Sequence, residues 1–542
     1  MGNGLPEIAA EERTPLVVAL LEIIAQQQEL IQQLRDEIAI LKGQKPRPKI
    51  EPSRLEQPQP PAQPAAAPGQ EAAKRPGSAK CSKNAQLTIH RTIFVEVKDP
   101  PPGSVVVGYE EYIVQDLVFE ARNTRYWRQR LRTADGGTML APLPEGAATA
   151  DFPHFGPTLV SYILHQHHHN HVTQPLLFEE LQDQHIDIST GQINNILTEK
   201  KDDFHAEKEE LLQAGLQAST SVGVDDTGAR HQGKNGYCTH IGNELFAYFE
   251  STDNKSRLNF LQILRRPHTD YVINETALAY WERQGLTASL VKQLQTGPQE
   301  FADEPAWKAR LAELGIRGER HVRMATEGTL LGSLITHGVS RQLVILSDGA
   351  PQFDVLVHAA CWIHAERPLV RMIPYSEPHR AAIEKVREQI WNLYKDLKAY
   401  QQKPDPAQKP ILEARFDALV EQRADFPNIN GVLKEMREHK ADLLCVLEHP
   451  AVPLHNNLSE THVRDYVKKR KISGGTRSDA GRRCRDTFAS LKKTCRCLGI
   501  AFWKYLVDRV RCLGQIARLA TIIRERAAET PAPIVASVDV PA

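Results

Sequence analysis

Ser221-Val222-Gly223-Val224-Asp225-Asp226-Thr227 is a short β-rich run that closes on two adjacent acids. Successive side chains of a strand face opposite ways, so only one of Asp225 and Asp226 can serve a site on a given side of a sheet. Two further strand candidates follow, residues 237–241 and 245–249, joined by Gly242-Asn243-Glu244 in the manner of a hairpin. Much later, Gln342-Leu343-Val344-Ile345-Leu346 is a compact apolar run that ends on Ser347-Asp348-Gly349. A second acid therefore stands at the end of a strand of the buried type. Neighbouring strands would bring Asp225 and Asp348 together at the sheet's end. The alternative is that each acid simply begins a turn, Asp-Gly being a common turn dipeptide.

A third acid lies in His455-Asn456-Asn457-Leu458-Ser459-Glu460, which opens a helix reaching about Arg470. Local chemistry alone accounts for Glu460: with Asn457 as N-cap it forms a capping-box-like pattern, and it stands i,i+4 from Arg464. The neighbouring sequence alters that reading. From Arg464 to Arg496 there are twelve basic residues against three acidic ones. Arg464, Lys468, Lys469, Arg477, Arg482 and Arg483 are the candidate phosphate contacts in this run, a solvated charged face being the alternative. Three acids beside a polyanion-binding surface point to metal-dependent phosphodiester chemistry.

Upstream, Val17, Leu20, Ile24, Gln27, Ile31, Leu34, Ile38 and Leu41 alternate in steps of three and four. β-Branched a positions with Leu at most d positions favour a parallel two-stranded coiled coil, so a dimerisation helix is expected over 13–42. Residues 43–85 are rich in Pro and Ala and read as an extended linker. Residues 86–150, with β-rich runs at 92–97, 104–107 and 117–119, read as a small strand-rich module. Residues 151–218 read as helical, and 176–184 with 189–197 could form a helix-turn-helix capped by Ser189 and Thr190. The His-rich run His165, His167, His168, His169 and His171 lacks interleaved carboxylate or Cys ligands and reads as a solvated or partly buried helix face. A catalytic domain then spans 219–510, with helical insertions near 258–339 and 377–447, before a C-terminal helix and tail over 511–542.

The chain has 542 residues, with 67 Lys and Arg balancing 67 Asp and Glu, so any electrostatic case for DNA rests on local clustering. No apolar run approaches the roughly 20 residues that span a bilayer, and the start lacks signal-peptide features. Eight Cys without paired C-x-x-C units predict reduced thiols and a cytoplasmic protein.

Val224-Asp225-Asp226-Thr227, Val344 to Gly349, Ala360-Cys361-Trp362-Ile363-His364-Ala365-Glu366-Arg367 and Asn456-Asn457-Leu458-Ser459-Glu460 occur in the order seen in bacterial DDE transposases of the insertion sequence 66 type. Ser478-Asp479-Ala480-Gly481-Arg482 and Phe502-Trp503-Lys504-Tyr505-Leu506 are similar to that family's C-terminal tail. The resemblance extends over most of the chain. It implies an α/β, RNase H-like mixed-sheet core and a catalytic, metal-binding triad of Asp225, Asp348 and Glu460. It also implies two Mg2+ ions, with Mn2+ as a substitute, and transposon-end and target DNA as substrates. Further partners would be a second copy of the chain and accessory proteins of the same element. Trp362 and His364 are expected on a strand after the second acid, with Trp362 in the core. The family's zinc-binding Cys cluster has only Cys81 to match it here. The competing readings are a non-catalytic or domesticated DNA-binding protein and a nuclease without strand transfer.

Overall fold

The strand that carries Asp225 alternates Val222 and Val224 toward one apolar layer and Gly223 and Asp225 toward the other side, and the rest of the fold is arranged around that division. The structure, a computed structural model, describes residues 88–149 and 151–529 together with Gln27. Gln27 is helical and exposed; the rest of the expected dimerisation helix over 13–42, the linker over 43–85, Cys81 and residues 530–542 lie outside the described residues.

Residues 1–120 and 121–542 are separate units. In the first, residues 88–120 form no helix or strand and expose Phe94, Val95, Val97 and Val105 to Val107. The strands expected at 92–97, 104–107 and 117–119 do not form. None of these runs has a neighbouring strand among the described residues, and an unpaired strand has no ladder to stabilise it.

The second unit begins with an antiparallel pair, β1 (Arg130–Arg132) and β2 (Thr138–Leu140). Four helices follow: α1 (Pro157–His168), α2 (Gln174–Asp183), α3 (Thr190–Thr198) and α4 (Asp202–Ala218). Ser189 closes a capping box with Gln192 at the start of α3, as its hydroxyl and that amide allow. The main sheet starts with β3 (Ser221–Gly228), β4 (Tyr237–Gly242) and β5 (Ala247–Thr252). The first insertion holds α5 (Arg257–Leu264), β6 (Tyr271–Val272), α6 (Glu275–Arg283), α7 (Ala288–Gln295), β7 (Glu300–Phe301), α8 (Glu304–Glu313) and α9 (Glu319–Thr336). It is helical apart from the small β6–β7 pair.

The chain returns to the sheet as β8 (Val344–Ser347) and β9 (Val357–Ala360), then enters α10 (Trp362–Arg371). The second insertion is α11 (Glu377–Gln402), α12 (Lys409–Glu421), α13 (Pro427–Glu438) and α14 (Lys440–Leu443). Last come α15 (Asn457–Ser473), α16 (Asp479–Cys497), α17 (Phe502–Arg511) and α18 (Leu519–Glu529). Among the described residues no helix is long and apolar enough to cross a membrane.

The five-stranded sheet has the order β5-β4-β3-β8-β9, antiparallel across β5, β4 and β3 and parallel from β3 through β8 to β9. Val222, Val224, Ile241, Tyr248 and Ile345 face a large core shared with the first insertion. On the other face Cys238, Ala247 and Phe249 pack against Val463 and Tyr466 of α15. The second insertion has its own core around Phe416, Phe426 and Leu397, into which Trp362 is inserted. Trp362 is thus a core residue, but it opens a helix and not a strand. The burial of Trp362, Glu366 and Leu369 follows the helical period, which sequence patterning over so short a run did not separate from a strand.

β5 is the edge of the sheet, and its outward N–H groups are capped by side chains one helical turn apart on α16. Thr494 Oγ1 accepts from Ala247 N (3.1 Å), Ser490 Oγ from Phe249 N (2.9 Å) and Asp486 Oδ2 from Ser251 N (2.8 Å). The alternation of period two on the strand against four on the helix makes this match, and it satisfies an edge that would otherwise invite another strand.

Candidate active site

β3 and β8 pair in parallel, with Gly223 opposite Leu346. Two residues further along each chain stand Asp225 and Asp348, so the register carries both acids to one level and one face. Asp348 lies just past the end of β8, in a turn where Gly349 adopts φ +96° and Asp348 Oδ1 accepts from Ala350 N (3.1 Å). The turn reading and the convergence reading of Asp348 both hold. Asp226 points the other way. Its carboxylate accepts from Thr239 Oγ1 (2.5 Å) and Gln352 Nε2 (3.0 Å).

The third acid arrives on α15, which crosses the sheet over Gly223. A Cβ at that position would fall inside 3.0 Å of Ser459 Oγ and Asn456 Oδ1, so the close approach of helix to strand requires glycine. Asn456 is buried and donates from Nδ2 to Val224 O (2.7 Å), while its own N–H reaches Cys361 Sγ (3.3 Å). The expected cap is therefore displaced by one residue: Asn457 is the first helical residue, and Asn456 spends its side chain on β3 instead of capping the helix. One turn on, Glu460 Oε1 meets Arg367 (Nη2, 3.4 Å) and His364 (Nε2, 3.6 Å) of α10, and not Arg464. Arg367 Nη1 donates to His364 Nε2 (2.7 Å), which fixes the imidazole proton on Nδ1.

Burial and the negative charges of Asp348, Asp226 and Glu460 push the Asp225 carboxyl up to about 7. Asp348 and Glu460 are near enough to Asp225 for their charges to act on it, as is Asp226. All the donors are carboxylate oxygens, the set that hard divalent cations prefer, and crowded like charge of this kind attracts such a cation.

Behind Asp348 lies a chain that sequence reading missed. Ser347 Oγ is 2.8 Å from His358 Nε2, and His358 Nδ1 is 3.3 Å from Asp442 Oδ2 on α14. The residue types match a nucleophilic triad, yet Ser347 is fully buried and its hydroxyl also accepts from Gly349 N (3.0 Å). Its geometry suits support of the turn that carries Asp348. Asp442 is half-buried, which raises a carboxyl's pKa, but hydrogen bonds from His358 and His439 outweigh that and hold it below the usual range. The only sequence signal was a His on an otherwise small, apolar strand.

The basic run divides into two populations. Arg464, Lys468, Arg477 and Arg483 are exposed. Arg482 is half-buried and pairs with Asp253 (2.9 Å). Lys469 is the correction: it is buried, donates to His167 O (2.7 Å), and burial with nearby Arg485 and Lys492 pushes its ammonium down to about 7. A group so placed cannot meet a DNA phosphate. Lys492 and Lys493 are also interior, paired with Asp465 at 2.7 and 3.4 Å. The His-rich run packs likewise: His168 stacks on Phe488 (4.1 Å between ring centres), and His165 stacks on His169 (4.6 Å).

Residues 345–483, the segment from the second acid's strand through the third acid's helix, match the family described as Transposase IS66 family. The Uncharacterized protein y4jO of Sinorhizobium fredii is 40% identical over 321 residues, which cover 58% of this chain and 100% of that protein.

Proposed function

The chain belongs to the IS66 transposase family, and from that membership we propose that it cuts transposon ends and joins them to target DNA with Asp225, Asp348 and Glu460 as its catalytic acids. The observation that carries the assignment is the shared level of Asp225 and Asp348 on β3 and β8, with α15 bringing Glu460 over Gly223 on the same face. The antiparallel-then-parallel order of the sheet supports an RNase H-like reading of the core.

Asp225, Asp348 and Glu460 would hold two Mg2+ ions, which when bound supply Lewis acidity at the scissile phosphate. Water attacks the phosphorus at the transposon end, and the P–O3′ bond breaks to leave a 3′ hydroxyl. That hydroxyl then attacks a target phosphodiester, displacing a second 3′ oxygen. Arg367, oriented by His364 and Glu460, is set to hold a phosphate oxygen beside the acids, an arrangement that works because guanidinium binds phosphate and carboxylate in the same plane. Exposed Arg464, Lys468, Arg477 and Arg483, with half-buried Arg482 beside them, extend the contact along the backbone of the DNA. α2 and α3 read as the end-binding helix-turn-helix, and the heptads over 13–42 as the dimer contact that pairs two ends.

Incubating the protein with labelled candidate ends, a target plasmid and Mg2+ tests the reading. Joined products are expected; cut ends without joining would indicate a nuclease, and bound but uncut DNA a non-catalytic binding protein.

A further inference from the structure

We propose that His268, Asp270 and His337 bind one divalent ion of the zinc class, tying the start of the first insertion to its end. Nothing in the transposition chemistry above uses these residues. They come from three places: the loop after α5, the residue before β6 and the residue after α9. One ligating atom from each lies within 4.8 Å of the other two. Asp270 Oδ1 is 2.9 Å from His337 Nε2 and accepts from Ser333 Oγ at 3.0 Å.

A simple Asp–His pair accounts for two of the three. It does not account for His268, whose ring lies flat on that of His337, with centres 3.4 Å apart and planes 1° from parallel. A face-to-face sandwich is the least favoured aromatic arrangement, and no hydrogen bond to the His268 ring nitrogens is made among the described residues. A shared ion supplies the missing attraction. Zn–N bonds of about 2.0–2.1 Å in tetrahedral geometry put ligand atoms roughly 3.3 Å apart; Asp270 and His337 stand at 2.9 Å, and the His268 atom lies within 4.8 Å of both. The in-plane lone pairs of two stacked imidazoles run parallel, so binding requires the His268 ring to swing off that of His337 until both nitrogens point at one ion, and the half-exposed position leaves room for that movement and a fourth site for water. The Ser333 hydroxyl then orients the carboxylate from behind, as partners of metal ligands commonly do.

The donor set separates this site from the catalytic one. Two imidazoles with one carboxylate favour zinc-like ions, whereas the three acids favour Mg2+. The cross-link closes the chain between Asp270 and His337, 67 residues apart, and does so just before the chain enters β8 and reaches Asp348. Its role is to fix the insertion from which that strand emerges.

Full-length protein stripped with chelator and titrated with Co2+ provides the test. One equivalent should give the intense visible band of a tetrahedral site, Zn2+ should displace it, and Zn2+ should raise Tm. H268A and D270N should lose the band and the Tm rise, S333A should weaken binding about 10- to 100-fold, and the H165A/H169A variant should keep both. Absence of the band in the wild-type protein overturns the proposal. So does its survival in both H268A and D270N, or its loss in H165A/H169A with retention in H268A.

Discussion

Asp225 and Asp348 stand at the same level of two adjacent parallel strands, each two residues beyond the paired Gly223 and Leu346. Their shared face is the one that α15 crosses, so the position of Glu460 depends on how closely that helix can approach β3.

The approach of α15 rests on the missing side chain of Gly223. Gly223→Ala forces a Cβ against Asn456 and Ser459 and should destabilise the protein by about 1–3 kcal/mol. Urea unfolding gives the loss, and cleavage should fall more than stability predicts because Glu460 is displaced. Unchanged cleavage would mean that the helix position does not matter.

Ser347→Ala removes the hydroxyl that links the Asp348 turn to His358 and Asp442. Loss of a buried hydrogen bond should cost about 1–2 kcal/mol of stability, and the cleavage rate should drop while DNA affinity stays constant. If Ser347 were a nucleophile, the variant would be inert and a covalent adduct would form on the wild-type protein; neither is expected.

Lys468 and Lys469 are neighbours in sequence with opposite surroundings. Lys468→Ala should weaken DNA binding and lower the slope of log K against log salt by about 1. Lys469→Ala should leave that slope unchanged and reduce Tm, since its ammonium is bound to His167 O inside the protein. A salt-slope change in the second variant would contradict the burial.

Asp465 gives a pH signature. Burial opposes its ionisation, but the hydrogen bond from His171 and the ammonium groups of Lys492 and Lys493 outweigh that and hold its carboxyl well below the usual range. A depressed pKa contributes stability that is complete above the unfolded value of about 3.9 and is lost as pH falls through the folded value. Asp465→Asn leaves two interior lysines unpaired and should cost about 3 kcal/mol at neutral pH. The gap between the two proteins in denaturant titrations should narrow below about pH 4; a gap independent of pH would refute the ion-pair account.

What the sequence made legible follows from local chemistry. A short β-rich run and a compact apolar run, each ending on an acid, located β3 and β8, the Gly242-Asn243-Glu244 link located the β4–β5 hairpin, and Ser189 located the start of α3. Long-range pairing was less visible. Asn457 looked like the helix cap because the residue that stands at the cap, Asn456, spends its side chain on Val224 O, 232 residues away. Lys469, Lys492 and Lys493 looked like surface charge because the partners that bury them come from other helices. The α16 residues Asp486, Ser490 and Thr494 carried no sequence signal as caps of a sheet edge, since that role exists only once β5 is in place. His364 and Arg367 stood in a quoted motif, but their bond to each other and to Glu460 appears only when α10 and α15 meet.

The most direct test of the central claim is Mg2+-dependent cleavage of labelled transposon ends by Asp225→Asn, Asp226→Asn and Asp348→Asn side by side. The account predicts that Asp225→Asn and Asp348→Asn bind ends as the wild-type protein does but cut nothing, while Asp226→Asn, whose carboxylate faces Thr239 and Gln352, still cuts. Cleavage by Asp225→Asn or Asp348→Asn at the wild-type rate would contradict it.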